Sequence, residues 1–315
     1  MSLVFPFLIF AALSNWIVPL WLVAVGAAVA VGAAVAAYFA LKLAFPKVAA
    51  IARTTAKEAP SQPLFWVLLA LGAVAIFFFT IMPYSTFGDD LKMLKSSGVT
   101  LIRVLGILLA VWSASTSIAE ELEGRTALTL LSKPISRRQF VIGKFLGVLT
   151  PVFVLFLVLG AIFLTAVSFK VTFDARETGQ FAASAEQCRH EMVHIVPGLI
   201  LAFFETIVFT AISVAISTRL PMIPNLVICV TVYALGHLLP LLVQSSLGRI
   251  EVVAFMGQFF ATILPVLDHF DIEAAVSASR DVPLDYLGWS LAYCLLYSTI
   301  AMLVALVLFE DRDLA

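Results

Sequence analysis

The sequence predicts an all-α integral membrane protein with about seven transmembrane helices. The first sign is composition: 62% of the 315 residues are hydrophobic and 12% are charged, against about 25% charged in soluble domains. The second is mean hydropathy, +1.07. The third is distribution, because the charges fall in short clusters separated by apolar stretches of about 20 residues, the length that crosses a hydrocarbon core of about 30 Å as a helix. Helices are favoured there because each satisfies its own backbone hydrogen bonds where lipid offers no partner. The longest polar stretch is under about 30 residues, too short for a soluble domain. A net charge of −1 gives no footing for nucleic acid. Cys188, Cys229 and Cys294 are far apart, which suggests neither a disulfide framework nor a cysteine metal site.

The apolar block from Leu3 to Phe45 is too long for one crossing, and its polar break at Ser14-Asn15 comes too early for two. It reads as a span over Ile17–Leu43 preceded by a short embedded or interfacial piece. It lacks a basic n-region and exceeds a signal peptide in length, so it is expected to be retained. Gly26, Gly32 and the many alanines would let another helix approach closely; a poorly specified anchor is the plainer alternative. A linker over residues 42–62 follows, then spans at Leu64–Met82, Val99–Ile118, Phe145–Phe169, Ile195–Ile216, Asn225–Val243 and Leu287–Phe309. Val252–Leu267 is apolar but short and contains Pro265, which suits a re-entrant or interfacial segment. The expected organisation is an N-terminal span and linker over 1–62 and a six-span core over 63–315.

Lys and Arg concentrate on the cytoplasmic side of membrane proteins. Lys42, Lys47, Arg53 and Lys57 mark the linker as cytoplasmic, and Arg125, Lys133, Arg137, Arg138 and Lys144 mark residues 119–144. Two spans separate these stretches, so the assignments agree. The acidic stretches at 169–194 and 247–286 then fall outside, the C-terminus inside and the N-terminus outside.

The segment from Glu120 to Lys144 divides in two. Leu122–Leu131 can form a short helix with Ala127, Leu130 and Leu131 on one face, and Pro134 stops it. Ser136 with Gln139 three residues on is a capping-box start for a helix that runs into the fourth span. This is either a surface helix that another protein could push or an ordinary basic loop.

The segment resembles the signature of type-2 ATP-binding-cassette transporter permeases, in the branch that includes bacterial copper-processing and gliding-associated permeases. The matching positions are Glu121, Glu123, Gly124, Thr126, Leu130, Leu131, Pro134, Ser136, Arg137, Gly143 and Lys144. The span layout is similar to that family too, with an extra N-terminal span. The resemblance implies a permease subunit in a bacterial-type plasma (inner) membrane, itself without ATPase chemistry, that moves an unidentified substrate, by export. ATP and magnesium would be bound by a separate ATPase subunit, and a second permease copy or homologue would complete the transporter among membrane lipid. The implied ATPase-coupling residues are Glu120, Glu121, Glu123, Gly124, Arg125, Thr126, Leu130, Pro134, Arg137 and Lys144. In agreement, Gly143-Lys144 lacks the remainder of a phosphate-binding loop.

Glu205 sits near the middle of its span, where a carboxylate costs about 2.5–3.5 kcal/mol and must face protein or water. His237 lies at similar depth, so the two are expected either to meet or to leave Glu205 protonated on a backbone carbonyl. Arg103, about one turn into its span, is expected to snorkel outward. His190-Glu191-Met192-Val193-His194 fits H-E-x-x-H, the spacing by which a zinc metalloprotease holds its metal and activates water. Against that alternative, Pro197 follows closely and no third ligand is in reach.

Overall fold

A computed structural model describes residues 15–82, 90–119, 136–177, 183–244 and 264–310, with residues 255 and 259. The helices are α1 Leu20–Ala44, α2 Pro46–Ser61, α3 Pro63–Ile81, α4 Asp90–Ala114, α5 Arg137–Glu177, α6 Ala185–Ser217, α7 Met222–Gln244, α8 Glu273–Ser277 and α9 Leu284–Glu310. No strand occurs among the described residues. Six helical stretches are long and apolar enough to cross a membrane, and α7 adds a shorter apolar stretch over Met222–Leu238. The re-entrant expectation at 252–267 and residues 120–135 fall almost wholly outside the described residues.

The core is α4, α5 and α6. Two glycines on α4 let α5 in: a Cβ on Gly98 would lie 2.1 Å from the Phe163 ring, and one on Gly106 2.3 Å from that of Phe156. The helices α4 and α6 run side by side in the same direction, since Lys95 meets Glu191, Arg103 meets Glu205 and Val111 meets Ser213 in turn. By contrast α1 has no buried residue. Its start is tied by Asn15 to Ala183 O (3.1 Å) and by Trp16 O to the Ser168 hydroxyl (2.9 Å). Beyond that it stands away from α5 and α6 across an apolar groove of about 490 Å³. Gly26 and Gly32 meet nothing within 4 Å, so among the described residues the close helix approach expected of them is not made.

The expected linker is instead the helix α2. Pro46 opens it at a position where the missing N–H costs nothing, and Val48, Ala49, Ala52, Thr55 and Ala59 form its buried stripe. That stripe lies against the first turns of α5, where Cβ atoms on Gly143 and Gly147 would come 2.7 Å from Ile51 and 2.5 Å from Thr55. The basic helix α2 and the described part of the second basic stretch, from Arg137 to Lys144, therefore share one end of the bundle, the cytoplasmic end on the charge count.

The helices α5 and α6 also outrun their predicted spans. Lys170, read as loop, is held in α5 by Asp174 (3.0 Å) and Asp90 (3.8 Å), so the helix continues past its apolar section. Ser184 caps α6 in a capping box with Gln187, and the helix passes through Pro197 rather than starting near it. At α5, Gln139 N–H donates to the Ser136 hydroxyl (3.3 Å) and Ser136 N–H to the Gln139 side chain (3.2 Å), the predicted capping box.

Candidate functional site

Polar chemistry gathers in three places along the bundle. Glu120, Glu121, Glu123, Gly124, Arg125, Thr126, Leu130 and Pro134 lie outside the described residues, but both flanks of their segment are seen, at the end of the bundle that the charge count makes cytoplasmic. On the entry side, α4 ends in five π-helical residues, Ser115–Ala119; such irregular turns recur at functional sites. Asn225 at the start of α7 is fully buried and sets its amide nitrogen 2.7 Å from the Ser115 hydroxyl and 2.8 Å from those of Ser213 and Ser217. The turn is thereby knotted to the ends of α6 and α7.

On the exit side, Arg137 donates to Phe309 O (3.3 Å) and Glu310 O (2.7 Å), and Arg219 donates to Leu308 O (2.7 Å). These carbonyls end α9, where the helix leaves acceptors unpaired and presents the negative end of its dipole. The Phe140 and Phe309 rings stack beneath them at 5.7 Å. Two turns further along α5, buried Lys144 reaches Glu58 of α2 at 3.6 Å. So the segment's exit is fastened to both α9 and α2.

Within the membrane, Glu205 Oε2 lies 3.5 Å from Arg103 Nη1, and Glu205 Oε1 lies 3.8 Å from His237 Nε2. Glu205 is 0% exposed and Arg103 is 4% exposed. The outward snorkelling expected of Arg103 does not occur. It points into the bundle, where Asp271 also approaches at 3.9 Å, because its face of α4 is the packed one. Burial runs round much of α4, with Lys95, Gly98, Val99, Ile102 and Gly106 buried as well. Asp271 carried no signal, lying after a segment with no clear helical period.

At the outer end, Glu191 is held by Lys95 and accepts from the Ser279 hydroxyl at 2.7 Å. His194 sets Nδ1 2.7 Å from His190 O and Nε2 2.9 Å from Asp281 Oδ1, and its ring lies 4.1 Å from that of His190. The H-E-x-x-H residues do share one helical face. Its glutamate is neutralised by an ammonium group, however, and both nitrogens of His194 already face oxygen atoms of this chain, the His190 carbonyl and the Asp281 carboxylate. No group of three or more His, Cys, Asp or Glu among the described residues is placed to hold a metal.

Comparison with known families adds one finding. The model of a family described as "ABC-2 family transporter protein" matches residues 21–314, from the first turn of α1 past the end of α9. No curated protein matches the chain.

Proposed function

The chain belongs to the ABC-2 transporter family, and we propose that it is the membrane permease of an exporter driven by a separate ATPase subunit in a bacterial-type inner membrane. ATP and magnesium bind the partner, and a second copy of the chain or a homologue completes the membrane half. The observation that carries this reading is the way segment 120–136 is anchored. A π-helical turn held by Asn225 precedes it, and Arg137 and Lys144 fasten the first turns of α5, on its far side, to α9 and α2. A displacement of that segment by a closing ATPase pair is delivered to α4 and α5 and, through them, to α2, α6, α7 and α9. Packed elements shift as units rather than deforming continuously, so a small push there suffices to reorient spans. The acidic and basic side chains Glu121, Glu123 and Arg125 are the groups the partner would grip.

The test is affinity purification of the full chain from native membranes in mild detergent, with mass spectrometry of the associated proteins. The expected result is a stoichiometric partner carrying a phosphate-binding loop, lost when Glu121, Glu123 and Arg125 are changed to alanine. Recovery without any ATPase would refute the reading.

A further inference from the structure

The intramembrane cluster has a feature that its charges alone do not explain. His237 Nδ1 lies 3.2 Å from Tyr233 O, which can only accept, so Nδ1 carries a hydrogen. Its Nε2 lies 3.3 Å from Arg103 Nη1, which can only donate, so Nε2 carries a bare lone pair. Both contacts specify the same neutral tautomer. In that state Glu205 is left short: it is fully buried, yet neither carboxylate oxygen accepts a hydrogen bond from any described residue, and Arg103 Nε is likewise unused. Buried polar groups are ordinarily bonded. The balance of charge points the same way. Arg103 faces two carboxylates, Glu205 and Asp271, so with both ionised the group carries one negative charge in excess.

We infer that Glu205 and His237 form a site within the membrane that binds one proton between Glu205 Oε1 and His237 Nε2, taken up from the outer aqueous side. The two atoms are 3.8 Å apart, and closing them by about 1 Å makes a charge-assisted hydrogen bond. The added proton cancels the excess charge and gives Glu205 the donor it lacks. It also removes the lone pair to which Arg103 donates, so His237 exchanges Arg103 on α4 for Glu205 on α6. The proton belongs to the pair rather than to either residue.

The surroundings supply a route and a consequence. His237 is 23% exposed and Asp271 32% exposed, and beside Asp271 an open hollow of about 620 Å³ is bounded by Asp268, Asp271 and Glu273. Among the described residues, the charged and titratable groups around His237 are Arg103, Glu205, Asp271, Asp268 and Tyr233 of its own helix, whose ring lies 4.5 Å away. Because α7 is pinned at its other end by Asn225, proton uptake changes which neighbour holds its outer half. This inference stands apart from ATPase pairing and needs no partner.

The test is nitrogen-15 NMR of histidine-labelled full chain in lipid nanodiscs across pH, with His237 assigned by loss of its signal in His237→Gln. The expected result is an Nδ1–H tautomer at high pH that gains a second proton on acidification, with uptake weakened about tenfold in Glu205→Gln. An Nε2–H tautomer at high pH, or the same titration in Glu205→Gln, would overturn the proposal. Should Glu205→Gln fail to assemble, Asp271→Asn at the rim carries the test: weaker uptake supports the site, and an unchanged titration overturns it.

Discussion

The bundle uses arginine in two ways. At the end that the charge count makes cytoplasmic, Arg137 and Arg219 donate to carbonyl oxygens that close α9. In the middle Arg103 faces Glu205, Asp271 and His237. Carbonyls do not titrate, so the first arrangement is a clasp whose strength is the same at any ordinary pH. Carboxylates and imidazole do titrate, and here Glu205 is buried without a hydrogen bond from any described residue, so on the proton site inferred above the second can occupy two states. A force-transmitting joint needs the first property and a sensor needs the second.

The comparison is broken most severely at Arg103. Arg103→Ala strands Glu205 without its counter-charge and should cost about 3–5 kcal/mol, read as a large loss of folded protein in detergent thermal melts. The double variant Arg103→Met, Glu205→Leu should recover much of that, because replacing both buried partners removes the desolvation problem. If it is as unstable as the single variant, the charges are not what Arg103 serves. A smaller effect is expected at the joint between α2 and α5. Gly147→Val places side-chain atoms against Thr55 and Ala52 O and should cost about 1–3 kcal/mol by overpacking, read as a lowered midpoint in the same thermal melts. Smaller still, Arg137→Ala removes one cap from α9 and should cost about 0.3–1 kcal/mol at every pH between about 6 and 9. A strong pH dependence would contradict the clasp. Least of all, Gly26→Leu on α1 meets open space and should change monomer stability by under about 0.5 kcal/mol. A larger loss would place another helix against that face.

Legibility in the sequence divides along similar lines. Span positions and the fold class are readable because apolar length is a one-dimensional property, and the capping box at Ser136 is readable because its two residues are local. The direction in which Arg103 points is not, because depth along a helix says nothing of which way a side chain faces. The linker proved helical because its small stripe, Ala49, Ala52 and Ala59, is weak in hydropathy and gains meaning only against the glycines of α5. Lys170 looks like loop because its partners, Asp90 and Asp174, cannot be paired with it in advance. Of the intramembrane cluster, Glu205 and His237 stand out by their cost in lipid, whereas Asp271 and the Asn225 knot need the fold.

The central claim, that a separate ATPase drives this permease through segment 120–144, is tested most directly by photo-crosslinking in native membranes. A photoreactive residue replacing Leu130 should capture a protein with a phosphate-binding loop, and the same residue replacing Glu273 at the opposite end should not. Equal capture from both positions, or none from Leu130 while the chain is folded in the membrane, would contradict it.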